Sequence, residues 1–259
     1  EIGSGLVGSE MCIRDSKVTS SIKNEIGGDI NASDIDITSN LLRTVTANAT
    51  SKSGGLADVK SMNLKSIIEN GMNTSFGGTI NSKSLDINST MTNRANSFVQ
   101  ESSAGLAALA YGITQNEVKN NAINDISFEN GANISSHTLN ATADSDSQSY
   151  MHRTSTSKGM IIVKGGRIEN NMKGTSQIDI NGGKINTTGN MEFNVKNNAS
   201  TPQEMVFTDD SSGFIAKSGA VLSNTLSQSA KLNVNGGNVT AGGDLVLSVD
   251  NGTNFSQRA

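Results

Sequence analysis

The chain has 259 residues, of which Asn, Ser, Thr and Gly supply 117, against two Tyr, one Pro and no Trp. Leu, Ile, Val and Phe make up about 22%, enough at a net charge of −4 for a thin repeated aliphatic core but not for a large globular one. The 20 Lys and Arg are scattered, which speaks against nucleic acid as a partner, and the longest apolar run, the eight residues Ala104 to Tyr111, is far below the roughly 20 that span a bilayer, so no membrane insertion is expected.

At the front, residues 6 to 16 (Leu-Val-Gly-Ser-Glu-Met-Cys-Ile-Arg-Asp-Ser) resemble a transposase sequencing adapter read as protein. Residues 1–16 are therefore expected to be non-native, with one repeat domain over 17–259 that is a fragment of a longer chain. Setting them aside removes Cys12, the only cysteine, so no disulfide, zinc site or thiol nucleophile is expected. Glu1 also opens no basic-then-apolar signal peptide.

Two units then alternate along the chain. The first is a glycine corner followed by a branched residue: Gly27-Gly28-Asp29-Ile30, Gly77-Gly78-Thr79-Ile80, Gly131-Ala132-Asn133-Ile134, Gly182-Gly183-Lys184-Ile185 and Gly236-Gly237-Asn238-Val239. Apolar or small residues follow at alternate positions, as in Ile35 and Ile37, Leu85 and Ile87, or Met191, Phe193 and Val195, which is the period of a strand. The second unit places Gly before apolar residues: Gly55-Leu56-Ala57, Gly105-Leu106-Ala107, Gly159-Met160-Ile161 and Gly213-Phe214-Ile215. A further strand ends that unit on an Asn-Gly turn, as in Ile126-Ser127-Phe128 before Asn130-Gly131 and Ile178-Asp179-Ile180 before Asn181-Gly182.

Nine such markers, from Ile30 to Val239, recur at a spacing that averages about 26. A steady period favours coils stacked in parallel over antiparallel hairpins. The expected fold is all-β: a right-handed parallel β-helix (β-solenoid) of about nine coils of roughly 26 residues, forming a rod of about 43 Å at one strand spacing per coil. Inward Ile, Leu and Val would stack as ladders, with Asn, Ser and Thr outward. Ala104 to Val118, where Ala and Leu cluster, reads as strand and loop rather than helix, because it fills the slot of other Gly-apolar copies. Asn116 to Asn124, Ala143 to Lys158 and Thr201-Pro202 read as longer corners or side loops.

The alternation of Asn-rich Gly-Gly-x-Ile coils with Ser53-Gly54-Gly55-Leu56 and Ser103-Ala104-Gly105-Leu106 resembles the repeat region of large filamentous, haemagglutinin-type bacterial adhesins, especially leukotoxin-type filamentous adhesins of Gram-negative anaerobes. The likeness covers roughly residues 25–254. It implies a β-helix passenger exported by a two-partner or autotransporter route, with an outer-membrane transporter as partner during export. It further implies display at the cell surface, with a host-cell surface, a glycan or other bacterial cells as ligand.

Candidate chemistry is sparse. His137 and His152 have no short metal-ligand spacing. Asp144 and Asp146 could hold Ca²⁺, but the twelve-residue loop with its terminal Glu is missing, and Asp209-Asp210 has no better context. Glycan-active β-helix enzymes, polysaccharide lyases or hydrolases, are the alternative function. They need clustered carboxylates, and the comparable mid-coil acids Asp86, Asp179 and Asp244 lie coils apart. No Gly-x-Ser-x-Gly elbow marks a serine nucleophile. Eleven Asn-x-Ser/Thr sequons, among them Asn48, Asn88, Asn140 and Asn251, only modestly exceed chance. Thr44-Val45-Thr46 and Thr154-Ser155-Thr156 are not periodic enough for an ice-binding ladder. No catalytic residue, cofactor or metal ligand is therefore expected: the reading is a non-catalytic stalk and contact segment of a surface adhesin.

Overall fold

Alternating side chains and branched Ile, Val and Thr favour extended backbone, and short Gly-rich segments supply the corners. The computed structural model describes residues 7–109 and 114–258, and every regular element among them is a strand. The chain runs β1 (Val7–Val18), β2 (Ile22–Ile26), β3 (Asp29–Asn31), β4 (Asp34–Glu69), β5 (Met72–Phe76) and β6 (Thr79–Asn81). It continues as β7 (Ser84–Leu109), β8 (Thr114–Phe128), β9 (Asn133–Ser136), β10 (Thr138–Lys158), β11 (Ile161–Ile180) and β12 (Lys184–Thr187). It ends with β13 (Met191–Ser200), β14 (Met205–Ser212), β15 (Ile215–Val234), β16 (Asn238–Ala241), β17 (Leu245–Asn254) and β18 (Gln257–Arg258).

The pairing is parallel, as expected of a β-solenoid, but one turn takes in both repeat units. Asp34 stacks on Ser84, Ser84 on Thr138, Leu139 on Met191 and Met191 on Leu245. Each turn therefore passes one glycine corner of each type before the chain returns to its own stack. The repeat units read from the sequence are half-coils, so the described chain makes about five coils rather than about nine. Each coil has a short strand, a long outgoing arm and, past a second glycine corner, a long return arm. The short strands β3, β6, β9, β12 and β16 form a five-stranded sheet of their own. The shape changes accordingly: β10, with 21 residues, extends about 70 Å at ~3.3 Å per residue, while five coils rise only about 20 Å at ~4.8 Å each. The result is a broad slab, not a slender rod.

Glycine makes both corners possible. Gly182, Gly183, Gly236 and Gly237 all have positive φ, from 77° to 139°, in the Asn-Gly-Gly corners. At the opposite corner the chain needs close approach instead: a Cβ on Gly105 would lie 2.1 Å from the Gly55 carbonyl oxygen, and one on Gly159 would lie 2.3 Å from that of Gly105.

Outgoing and return arms face each other across the interior. Next to the Gly-Gly corner that interior is apolar, with Leu85, Ile87, Ile126, Phe128, Ile178, Ile180, Ile185 and Phe193 in one buried cluster. Phe76 stacks on Phe128 at 5.1 Å, and Phe193 meets Phe128 edge-on at 6.1 Å. Farther along the arms, contrary to the expectation that Ser and Asn point outward, Ser89, Asn93, Ser145, Ser147, Ser149, Asn120, Asn170 and Asn197 are buried between them. Parallel stacking links coils through backbone hydrogen bonds whatever the side chain is, so small polar residues can line the inside where they find partners. Ser89 Oγ donates to Asn124 Oδ1 at 2.6 Å, and Asn197 Nδ2 donates to the carbonyls of Gly174 and Ser229 at 3.0 Å each.

The same inversion corrects two expected loops. Residues 116–124 lie within β8 and residues 143–158 within β10, both strands with inward polar side chains. Residues 104–109 close β7 as strand, and 110–113 lie outside the described residues. The break at Thr201-Pro202 is present, between β13 and β14. The apolar markers Leu56, Leu106, Met160 and Phe214, expected inside, form an exposed ridge along the second corner, 45% to 89% accessible. At the front, β1 joins β4 in register, and of its adapter-like residues with described side chains, Arg14 and Asp15 are exposed and Ser16 half-buried.

Candidate functional site

Because odd-numbered residues of β10 point inward, its even-numbered residues build the outer face of the outgoing arm. Phe98 on β7 stacks on Asn48 below and His152 above, and Tyr150 stacks on Asn96. Three rings thus stand together on an outer face: Tyr150 meets Phe98 edge-on at 5.3 Å and His152 at 6.4 Å. All three are half-buried. His152 Nε2 hydrogen-bonds Thr154 Oγ1 at 3.2 Å, which fixes the ring's plane.

Phe98 lines two grooves. One, of about 380 Å³, is walled by Asn48, Thr50, Gln100, His152 and Thr154. The other, of about 490 Å³, is walled by Arg94, Asn96, Gln148, Tyr150, Pro202 and Gln203. The second wall has a local cause. Gln148 pairs with Ser200 but His152 pairs with Val206, so four positions of β10 lie opposite six of the next coil. The two extra residues are accommodated around Thr201–Glu204 and stand beside Tyr150. The rim carries amides, hydroxyls and one exposed guanidinium around apolar rings, a surface suited to an amphipathic, hydrogen-bonding ligand.

The return arm offers a different site. A groove of about 550 Å³ opens where the strand breaks at Asn70-Gly71, Asn70 having φ 67°, and it is lined by Lys23, Asn73, Asn121, Ile123, Asp125 and Gln177 among others. Burial pushes the Asp125 carboxyl up to about 6; Asp179 and Glu129 push the same way, while the Gln177 and Asn73 amides pull it back. Asn73 Nδ2 donates to Asp125 Oδ2 at 2.6 Å. A carboxyl with that pKa can hold or release a proton near neutrality.

The acids singled out in sequence are not brought together. Asp86 stacks beside Asp36 on the outgoing arm, Asp179 lies on the return arm, where Gln177 and Asn233 hydrogen-bond it, and Asp244 sits just before β17. Asp144 and Asp146 share the outer face of β10, but Asp144 has Lys196 directly above it and Asp146 accepts from Gln148 Nε2 at 2.8 Å. Burial raises the Asp144 carboxyl, opposed by Lys196 and aided by Asp146. Among the described residues, no group of three or more His, Cys, Asp or Glu could hold a metal ion. His137 is exposed at a corner, its Nδ1 2.9 Å from Thr188 Oγ1.

Inside the slab, at the end away from the Gly-Gly corner, the structure assembles charges that sequence spacing does not pair. Glu101 accepts from Arg153 Nη2 at 2.8 Å, both nearly inaccessible, with the Phe207 ring 5.0 Å from the guanidinium carbon. Lys164 pairs with Asp209 and also donates to Ser155 and Ser157 Oγ at 3.3 Å. Arg43, whose pKa burial lowers to about 10, donates to Asn93 Oδ1 and to the carbonyls of Ser20 and Glu69. Lys164 and Arg43 tie the two arms together, the Glu101–Arg153 pair links successive coils of the outgoing arm, and all of them keep their charge inside the slab.

Sequence reasoning misses Tyr150 because residues 143–158 read as a loop, misses Phe98 because no motif marks it, and reads Thr201-Pro202 as a corner without placing it beside them. The signal that finds them is the outward parity of β7 and β10 combined with their register, and neither is visible until a coil is known to hold two units. Comparison with models of known protein families, with curated proteins and with solved structures gives no match.

Proposed function

We propose that this chain is a non-catalytic stalk and contact segment of a secreted bacterial surface adhesin, whose ligand is a host-cell surface, a glycan or other bacterial cells. One observation carries the reading: successive coils stack in parallel and in register, so that their side chains form continuous outer faces. That is an economical way to present a long contact surface on a core with few aromatics. The sequence resemblance to haemagglutinin-type filamentous adhesins points the same way. Export through an outer-membrane transporter and display at the cell surface follow from that resemblance alone.

The test is attachment of the purified chain to host-cell monolayers and to whole bacteria. Saturable attachment without chemical change to the surface is the expected result, and its absence on both cell types overturns the reading. The alternative, a glycan-active enzyme, draws support from one observation, the Asp125 carboxyl near 6 in the return-arm groove beside Asp179. A depolymerase assay on host and bacterial polysaccharides separates the two: turnover that disappears in Asp125→Asn replaces the adhesin reading with a hydrolase or lyase.

A further inference from the structure

The second glycine corner carries an uncovered apolar edge that lies outside the grooves described above. Leu56, Leu106, Met160 and Phe214 take the same place on four successive coils, where the Met160 N–H donates to the Leu106 carbonyl at 3.0 Å and the Ile215 N–H to the Met160 carbonyl at 2.8 Å. Backbone stacking therefore sets their side chains in one line, about 15 Å long at ~4.8 Å per coil. The four are 45% to 89% accessible, and Ile161 and Ile215 beside them are 43% and 53% accessible. The glycine before each keeps the corner tight: a Cβ on Gly159 would lie 2.3 Å from the Gly105 carbonyl oxygen, and one on Gly213 would lie 2.3 Å from that of Gly159. That close approach makes a sharp apex, and the apolar side chains stand on the convex rim of the slab. A contiguous apolar strip of this kind marks a contact site rather than scattered surface residues.

Shape and charge select what covers this edge. Two convex ridges meet along a line and cannot bury the roughly 800 Å² per partner of a stable protein interface, which argues against a second copy of the chain. A lipid surface deforms around a ridge, takes in apolar side chains to a depth of about 5–10 Å and needs no matching groove. Among the described side chains within four residues of the ridge, the outward-facing charges are Lys52, Lys158 and Lys217 against Asp210, all exposed. Lys164 turns inward to Asp209, and Asp58 and Lys60 add one charge of each sign to the sequence here. Lysine stems lie well along an apolar edge while their ammonium groups reach the level of lipid phosphates. From this geometry we infer that the second corner is a membrane-binding edge that takes an anionic phospholipid surface. Leu56, Leu106, Met160 and Phe214 enter the boundary between headgroups and acyl chains, and Lys52, Lys158 and Lys217 meet the phosphates. This is adsorption by one edge of the slab and requires no span. The proposal rests on the reading of the chain as a contact segment, and names lipid as the surface it contacts.

The test is co-sedimentation of the purified chain with vesicles. Mixed phosphatidylcholine–phosphatidylglycerol vesicles should bind it saturably, and phosphatidylcholine alone at least about tenfold more weakly, since each lysine near an anionic surface adds several-fold to the affinity. Leu106→Ser/Met160→Ser, which removes two exposed apolar side chains from the middle of the ridge, should weaken binding to the mixed vesicles at least about tenfold. The swap Leu106→Met/Met160→Leu should keep it, which separates the lost apolar contact from a damaged fold. Lys158→Gln should cost about fivefold on the mixed vesicles and leave binding to phosphatidylcholine unchanged. No binding to the mixed vesicles, binding indifferent to the double Ser variant, or equal binding to both lipid compositions each overturns the assignment. So does a dimer, seen by sedimentation equilibrium, that the double Ser variant breaks while vesicles leave the chain unbound. Attachment to cells with no vesicle binding removes this site and leaves the adhesin reading standing. Vesicle binding with no attachment to cells does the reverse.

Discussion

The two ends of each coil solve the problem of closing a flat loop with different interiors. Beside the Gly-Gly corner, Phe76, Phe128 and Phe193 and stacked Ile and Leu residues fill the interior with apolar volume. Towards the other corner the interior is mixed: a stretch of Ser and Asn gives way to smaller apolar clusters around Val45, Ile68, Met151 and Phe207 and around Leu64 and Val99, with the pairs Glu101–Arg153 and Lys164–Asp209 among them. Backbone stacking is common to both ends. What differs is the make-up of the interior: one large apolar cluster with aromatic rings at one end, and smaller apolar clusters mixed with polar and charged partners at the other.

That contrast can be broken by mutation. Phe128→Ala should cost the most, about 3–5 kcal/mol, because a fully buried ring between two others leaves a cavity that rigid stacked strands cannot close. Denaturant unfolding measures it, and a cost below about 1 kcal/mol would show that the apolar end does not carry the fold. At the mixed end, Glu101→Ala should cost about 3 kcal/mol by leaving the Arg153 guanidinium buried without its carboxylate. The double variant Glu101→Met/Arg153→Met should recover most of that, since apolar residues of similar volume replace buried ion pairs at little cost. If the double variant is as unstable as the single, the pair contributes more than mutual neutralisation.

A smaller effect separates the outer face of the return arm from both interiors. The folded Asp125 carboxyl titrates near 6 against a usual 3.8, so folding favours its protonated form. Its contribution to stability is fully present below about pH 4 and is lost as pH rises through 6. After allowance for solvent screening of this partly exposed group, the change amounts to about 1 kcal/mol. Asp125→Asn should flatten that part of the pH–stability curve and raise the melting temperature at pH 7. Smallest of all should be Ser147→Ala: Ser147 is buried but its Oγ has no protein hydrogen-bond partner, so the change should lie within about 0.5 kcal/mol or stabilise. A loss above about 1 kcal/mol would mean that the polar interior depends on that hydroxyl.

Much of the architecture is legible without coordinates. Alternation in Ile35-Asp36-Ile37 and Ile178-Asp179-Ile180 marks strands, and the Asn-Gly-Gly runs mark corners that demand positive φ. The length of the coil is not legible, because a strand after a glycine corner looks the same whether it stacks on the unit just before it or on the one before that. The strict alternation of two unit types is the one available hint, since only like units stack. Residues 143–158 mislead for a related reason. Inward Ser and outward Asp, Gln or Thr leave no hydrophobic period, so an arm with a polar inside resembles a loop. The ring site needs both facts, since Phe98, Tyr150 and His152 become neighbours only once β7 and β10 are strands stacked on successive coils.

The order of residues thus suffices for an all-β chain of parallel, glycine-cornered coils, because local backbone preferences and period-two burial are written in neighbouring positions. Tertiary structure decides how many units close a turn, which Ser and Asn face inward, and which side chains meet on the outer face. Hydrogen bonds between stacked strands are made by the main chain and are nearly blind to side-chain identity. The register is therefore settled by long-range closure of the loop and packing across it, and by nothing a local window contains.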